Sequence, residues 1–214
     1  MARITVLGGT GYAGGAIARE AAARGHDVVA FSRSAPDADI AGVVPVTGSA
    51  LVRADLERAV AGAEVIVVAL APSGELEDGF LKLNEEIAEL ARAAGARLGV
   101  VGGAGSLLVA PGGPKVFEAP EFPERFRGYA RLSDQILQTL RDSDPDLDWF
   151  VLSPPQGFGH YAPGEPTGTF RLGGDVLLTD AEGKSHISGA DFATAFVNEI
   201  ERPAHRRERF TVAY

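Results

Sequence analysis

The 214-residue chain contains no cysteine. That excludes a disulfide framework, a thiolate nucleophile and a cysteine-ligated metal. Positive charge is scarce: 20 Lys and Arg stand against 29 Asp and Glu, a formal net charge of -9. Binding to a phosphate backbone needs a positive field, so nucleic acid is not an expected partner. The one basic run, His205-Arg206-Arg207-Glu208-Arg209, reads as a solvated surface segment. No apolar run approaches the ~20 residues of a membrane span, and no membrane partner is expected. Met1-Ala2 leads straight into an apolar strand pattern, which leaves no room for a signal peptide, so the expected setting is cytoplasmic. There is no G-x-S-x-G nucleophile elbow. Gly183-Lys184-Ser185 is not a P-loop, because Leu178 stands where that motif needs its first glycine. His26, His160, His186 and His205 are too scattered for a zinc motif, and no metal is expected.

What is present is glycine, in a particular place. Arg3-Ile4-Thr5-Val6-Leu7 is short, apolar and β-branched, and predicts a buried strand. Gly15 to Arg24 is rich in alanine with charges interspersed and predicts a helix stopped by Gly25. Gly8, Gly11 and Gly14, with Thr10, Tyr12 and Ala13 between them, therefore fall on a strand-to-helix turn. Glycine there permits unusual backbone angles and the close approach of a ligand. The free N–H groups of the following helix favour an anion, and a dinucleotide pyrophosphate is the expected occupant.

The rest of the chain repeats the alternation. Strands are predicted at Asp27–Phe31, Gly42–Val46, Glu64–Leu70, Arg97–Val101 and Asp148–Leu152, with helices at Asp55–Val60, Phe80–Ala94 and Glu124–Leu140. The run at Glu64–Leu70 is the most apolar and predicts a central strand. The pattern calls for a doubly wound, mainly parallel α/β Rossmann sheet. Leu107 to Pro123 is a long loop. Short strands are expected at Thr169–Leu172 and Val176–Thr179, a helix capped near Ser188 at Asp191–Ile200, and a last strand at Phe210–Tyr214. No linker divides the chain, so residues 1–214 are expected to form one domain, with 156–190 contributing a small C-terminal substrate lobe.

The end of the second strand bears on cofactor choice. An acid there holds the ribose 2′-hydroxyl of NAD, whereas an Arg accommodates the 2′-phosphate of NADP. This chain offers Ser32 and Arg33, and the nearest acid is Asp37, beyond Pro36. NADP(H) is therefore expected over NAD(H). Phe158, His160 and Tyr161 are expected to be exposed and to line a substrate pocket.

The spacing G-x-x-G-x-x-G resembles that of the extended and atypical short-chain dehydrogenases/reductases. Three further stretches narrow the resemblance: Val101-Gly102-Gly103-Ala104-Gly105-Ser106, Trp149 to Pro154, and Ile187 to Ala193. With the opening motif they resemble the bacterial NmrA-like proteins often named NADH-flavin reductases, which are similar in fold to the flavin reductase/biliverdin-IXβ reductase proteins. The resemblance covers nearly the whole chain. It implies that Ala69, Leu70 and Ala71 line the middle of the cofactor and that Gly103 and Pro154 flank the nicotinamide. It offers Ser106 as a group bonding the carboxamide or a substrate oxygen, with a hydroxyl bonded to its own loop as the alternative. The superfamily's proton-donating Tyr with a Lys four residues on is missing, because Tyr129 is followed by Ser133. Flavins and quinones need no such donor, so NADPH-dependent reduction of a flavin or quinone-like acceptor is the function expected. A non-enzymatic NADP(H) redox sensor and a sugar-nucleotide epimerase or dehydratase are the alternatives. A homo-oligomer is compatible with these features.

Overall fold

Strand β1, Arg3–Leu7, is buried along its length beyond Arg3, and helix α1, Tyr12–Ala23, follows it across the glycine turn. Strands β2 (Asp27–Ser32) and β3 (Val43–Thr47) come next, then α2 (Arg53–Val60) and β4 (Val65–Val68). Helix α3 (Phe80–Ala94), β5 (Arg97–Val101), α4 (Glu124–Arg141) and β6 (Trp149–Ser153) continue the alternation. The chain closes with β7 (Arg171–Gly173), α5 (Gly189–Glu201) and β8 (Glu208–Ala213). These elements come from a computed structural model, which describes every residue except Asp37 and Ala38.

Among the described residues the strands form one eight-stranded sheet in the order β3-β2-β1-β4-β5-β6-β8-β7. All neighbouring pairs are parallel except β7 with β8. The chain winds outward from β1 to β3, then crosses back to β4 on the other side of β1. That reversal places the topological switch point, where α/β sheets bind ligands, at the carboxyl ends of β1 and β4.

Period-two alternation divides the strands between two cores. Ile66, Val68, Trp149 and Val151 face α2, α3 and α4 with Leu56, Ile87 and Leu140. Val65, Val67, Phe150 and Leu152 face α1 and α5 with Ile17, Phe192 and Phe196. Helix α3 is amphipathic at helical spacing: Phe80, Leu83, Ile87 and Ala91 are buried, and Gly95 ends it at φ 63°. Helix α5 begins where the Ser188 side chain accepts from the Asp191 amide at 3.1 Å. No helix among the described residues is long and apolar enough to cross a membrane.

Element types follow the sequence pattern closely, with one correction. Val176–Thr179 is not a strand. After Gly173-Gly174 the chain leaves the sheet edge, and Val176 makes an isolated bridge to Leu108 in the long loop. Leu108 and its partners exchange backbone bonds there: Leu108 donates to Asp175 and Leu177 donates to Leu108. The loop supplied the pairing partner that an adjacent strand was expected to supply.

Candidate functional site

The turn after β1 is built from glycines with different duties. Gly8 sits at φ 89°, and a Cβ on it would lie 2.6 Å from the Ala69 carbonyl oxygen. A Cβ on Gly14 would lie 2.2 Å from the Gly8 carbonyl oxygen. Both are needed so that the turn, β4 and α1 can close on one another. Gly11 differs: it is exposed, and a Cβ there would meet only the Gly8 oxygen, at 3.2 Å. The expectation that all three glycines clear a path for a ligand is corrected for Gly14, whose missing Cβ makes room for the Gly8 backbone. Gly14 serves packing, Gly8 serves packing and also lines the cavity beside the turn, and Gly11 is the exposed one.

Gly11 caps α1 with no side chain bonded to the first turn. The leading N–H groups of a helix have no intrahelical partners, so this end is open to an anion. Beside it lies a cavity of about 190 Å³ lined by Gly8, Thr10 and Gly11, by Phe31, Ser32 and Arg33, and by Ala69, Leu70 and Ala71. The sequence-derived cofactor residues at the ends of β1, β2 and β4 converge here. The structure adds Gly48-Ser49-Ala50-Leu51, Ser73 and Glu75 to the same cavity. They carried no recognisable spacing, because their place depends on how the β3–α2 and β4–α3 loops fold over the strand ends. Arg33 is exposed, and Ser32 is buried with its hydroxyl donating to the Ser34 carbonyl at 2.7 Å. Ser32 therefore shapes the loop that carries Arg33. Asp37 lies outside the described residues. An uncapped helix N-terminus, an outward glycine and a flanking cation fit a bound dinucleotide.

Further along the strand ends, Gly103 and Pro154 are both buried at the carboxyl ends of β5 and β6. A Cβ on Gly103 would lie 3.2 Å from the Tyr129 ring and 3.1 Å from the Ser133 hydroxyl, so α4 packs directly over this point. Tyr129 keeps 37 % of its surface exposed, yet desolvation by the groups packed around its hydroxyl raises its pKa and outweighs the lowering by the Ser133 hydroxyl bond. The nearby Tyr161 phenol adds a smaller upward push on Tyr129. Beneath them the Ser153 hydroxyl is fully buried and has no hydrogen-bond partner among the described residues. Neither Tyr129 nor Ser153 is among the expected site residues, since nothing in the sequence places α4 over β5.

Ser106 is corrected. It is 3 % exposed, its hydroxyl donates to the Gly103 carbonyl at 3.2 Å, and Arg209 donates to that hydroxyl at 3.1 Å and to the Ser106 carbonyl at 2.9 Å. Asp175 holds Arg209 in turn, at 2.6 Å. The residue brackets the loop instead of facing the crevice.

The three aromatic lobe residues also separate. Phe158 is partly buried, its ring 4.4 Å from Phe192 and 5.1 Å from Tyr12, so its faces are taken by the core. The expectation that it is exposed and free to stack on a ligand is corrected. His160 sits edge-on to Tyr12 at 5.1 Å and faces a second cavity, of about 800 Å³, on the outer side of the glycine turn. Tyr161 is 72 % exposed with its hydroxyl donating to the Gln156 carbonyl at 2.7 Å. Tyr12 ties the lobe to the turn, donating to the Pro163 carbonyl at 2.9 Å. The other histidines are engaged elsewhere: His26 with Glu201, His205 with Glu199, and His186 edge-on to the Tyr214 ring at 5.2 Å.

Comparison with known proteins bears on this geometry. The family model described as NAD(P)H-binding matches residues 8–203. The uncharacterized protein YwnB of Bacillus subtilis (strain 168) is 34% identical over 215 residues, 98% of this chain and 97% of its own length. A solved structure from Burkholderia pseudomallei, described as a putative exported protein, is 37% identical with a TM-score of 0.87, and both chains are covered in full. A putative NADH-flavin reductase from Streptococcus pneumoniae TIGR4 is 31% identical with a TM-score of 0.82, covering 100% of this chain and 99% of that one.

Proposed function

The chain belongs to the NAD(P)H-binding family, and from that premise we propose that it is an NADPH-dependent reductase of flavin or quinone-like acceptors. The observation that carries the reading is the uncapped start of α1 opening on a cavity flanked by Arg33. Gly11 and the first amides of α1 would hold the pyrophosphate, Ala69 to Ala71 would line its middle, and Arg33 would take a 2′-phosphate. Such charge-assisted bonds contribute about 1.5–3 kcal/mol each. The bound dinucleotide supplies a hydride from its nicotinamide.

The chain's own part is orientation. Gly103 and Pro154 give a close floor at the ends of β5 and β6, and Tyr129 and Tyr161 give aromatic walls. Stacking of a flat acceptor falls to these two rings, because Phe158 is occupied by Tyr12 and Phe192. No lysine stands one turn from Tyr129. An acceptor whose reduced form takes its proton from water suits such a site, whereas a simple ketone needs a donor worth about 10²–10⁴-fold. The likeness to the Streptococcus pneumoniae protein supports the same class. The setting proposed is the cytoplasm.

The test is NADPH oxidation followed by absorbance against free flavin, a quinone and simple ketones. Turnover confined to flavin or quinone is expected. Robust ketone reduction would replace the proposed acceptor class, and tight NADPH binding without any turnover would favour a redox sensor.

A further inference from the structure

The outer cavity has no part in the proposed hydride chemistry, yet it shares Thr10 and Gly11 with the inner one. The crest of the glycine turn therefore has a cavity on each side. Ser34, Ala35 and Pro36, which follow Arg33 directly, line the outer side, where Arg19 also lies.

Arg19 is exposed on α1, and its guanidinium runs back toward the start of the helix. An ideal Cβ on Gly15 would lie 3.6 Å from Arg19 Nη1, so glycine at 15 leaves the guanidinium room to lie over that turn. Among the described residues Arg19 makes no salt bridge. The acid beside it, Glu20, is held by Arg24 at 2.7 Å and by the Thr194 hydroxyl at 3.3 Å, so its charge is already matched. The opposite wall is fixed too, because the Ser34 carbonyl is tied to the Ser32 hydroxyl.

A ribose seated at the end of β2 directs its 2′ substituent toward the loop after that strand. Here that loop carries Arg33 on the inner side of the crest and, through Ser34 to Pro36, shares the outer cavity with Arg19. We propose that Arg19 is a second 2′-phosphate ligand, so that the phosphate is gripped across the crest by two guanidinium groups from separate elements. The proposal rests on the dinucleotide reading above and deepens it. A paired grip accounts for a cation on α1 that makes no salt bridge among the described residues, and bidentate guanidinium binding suits a phosphate dianion.

The experiment is calorimetric titration with 2′,5′-ADP and 5′-AMP, then NADPH and NADH, on the unmutated protein, Arg19→Ala, Arg19→Lys and Arg33→Ala. Arg19→Ala is expected to weaken 2′,5′-ADP and NADPH tenfold or more while leaving 5′-AMP and NADH unchanged. Arg19→Lys, which keeps the charge and loses the fork, is expected to fall between. Thermal unfolding of Arg19→Ala should match the unmutated protein, since no salt bridge among the described residues is removed. If the unmutated protein binds NADPH and Arg19→Ala keeps its full preference for the 2′-phosphate, the subsite is wrong and the dinucleotide site stands. If the unmutated protein binds none of the four nucleotides, both fail together.

Discussion

The Tyr12 hydroxyl donates to the Pro163 carbonyl at 2.9 Å, joining the first turn of α1 to the C-terminal lobe across 151 positions of sequence. The ring reinforces the link, edge-on to both Phe158 and His160 at 5.1 Å. A residue of the nucleotide turn therefore also sets where the lobe stands. Desolvation raises the Tyr12 pKa above that of an ordinary phenol, so the hydroxyl stays protonated and donating through the neutral range. Tyr12→Phe keeps the ring and deletes the bond. It is expected to cost about 0.5–1.5 kcal/mol, which for a chain of this size lowers Tm by roughly 1–6 °C. An unchanged melting curve would show that the bond contributes nothing to the lobe's attachment.

The second and third glycines of the motif should separate by phenotype. In Gly14→Val the new side chain is driven into the Gly8 carbonyl, and the expected result is loss of the folded state. In Gly11→Val the side chain points into the open cavity, so the protein should fold and lose nucleotide binding. Circular dichroism together with NADPH titration distinguishes them. A folded Gly11→Val protein of unaltered affinity would remove the pyrophosphate from this turn.

Ser106→Ala tests the bracket. Arg209 keeps its bond to the Ser106 carbonyl, so the loss should be about 1 kcal/mol in urea unfolding, with kcat unchanged within about twofold. A hundredfold fall in kcat at unchanged stability would return Ser106 to the reacting centre.

Tyr129→Phe tests whether the phenol is a required acid. With flavin or quinone as acceptor the rate should change by less than about tenfold, because solvent supplies the proton. A larger fall, with an altered pH profile, would make the raised phenol a proton donor in its own right.

At the opposite end of the sheet, Arg97 donates to Glu199 at 2.7 Å, and Glu199 also receives His205 Nδ1 at 2.8 Å and two backbone amides. Burial pushes the Glu199 carboxyl up, but the Arg97 and His205 bonds outweigh it and leave its pKa below the usual 4.5. A depressed carboxylate contributes stability that is full above its unfolded pKa and lost as pH falls through the folded one. Breaking a buried pair typically costs about 3–5 kcal/mol, so Glu199→Gln should be strongly destabilised at pH 7. The gap between it and the unmutated protein should narrow below about pH 4.5. A gap that stays constant from pH 7 to pH 3 in urea titrations would refute the assignment.

Local pattern determined a good deal. Apolar runs of four to six residues bounded by glycine could only be buried strands, and their alternation with amphipathic helices implied the wound parallel sheet. Helix α3 and strand β5 fall at the expected residues because Gly95 stops one and the short apolar run ending in Val100-Val101 forms the other. The glycine turn was legible for the same reason: its signal is contiguous. Tertiary structure decided what depends on distant segments meeting. Packing sent Phe158 into the core, because Tyr12 and Phe192 offer more apolar contact than solvent does. It drew Val176 to Leu108 instead of into a short strand, turned Ser106 toward Arg209, and set Tyr129 over Gly103. It also placed Arg19 and Arg33 on opposite sides of one crest, since α1 and the loop after β2 come together only once β1 and β2 pair in register.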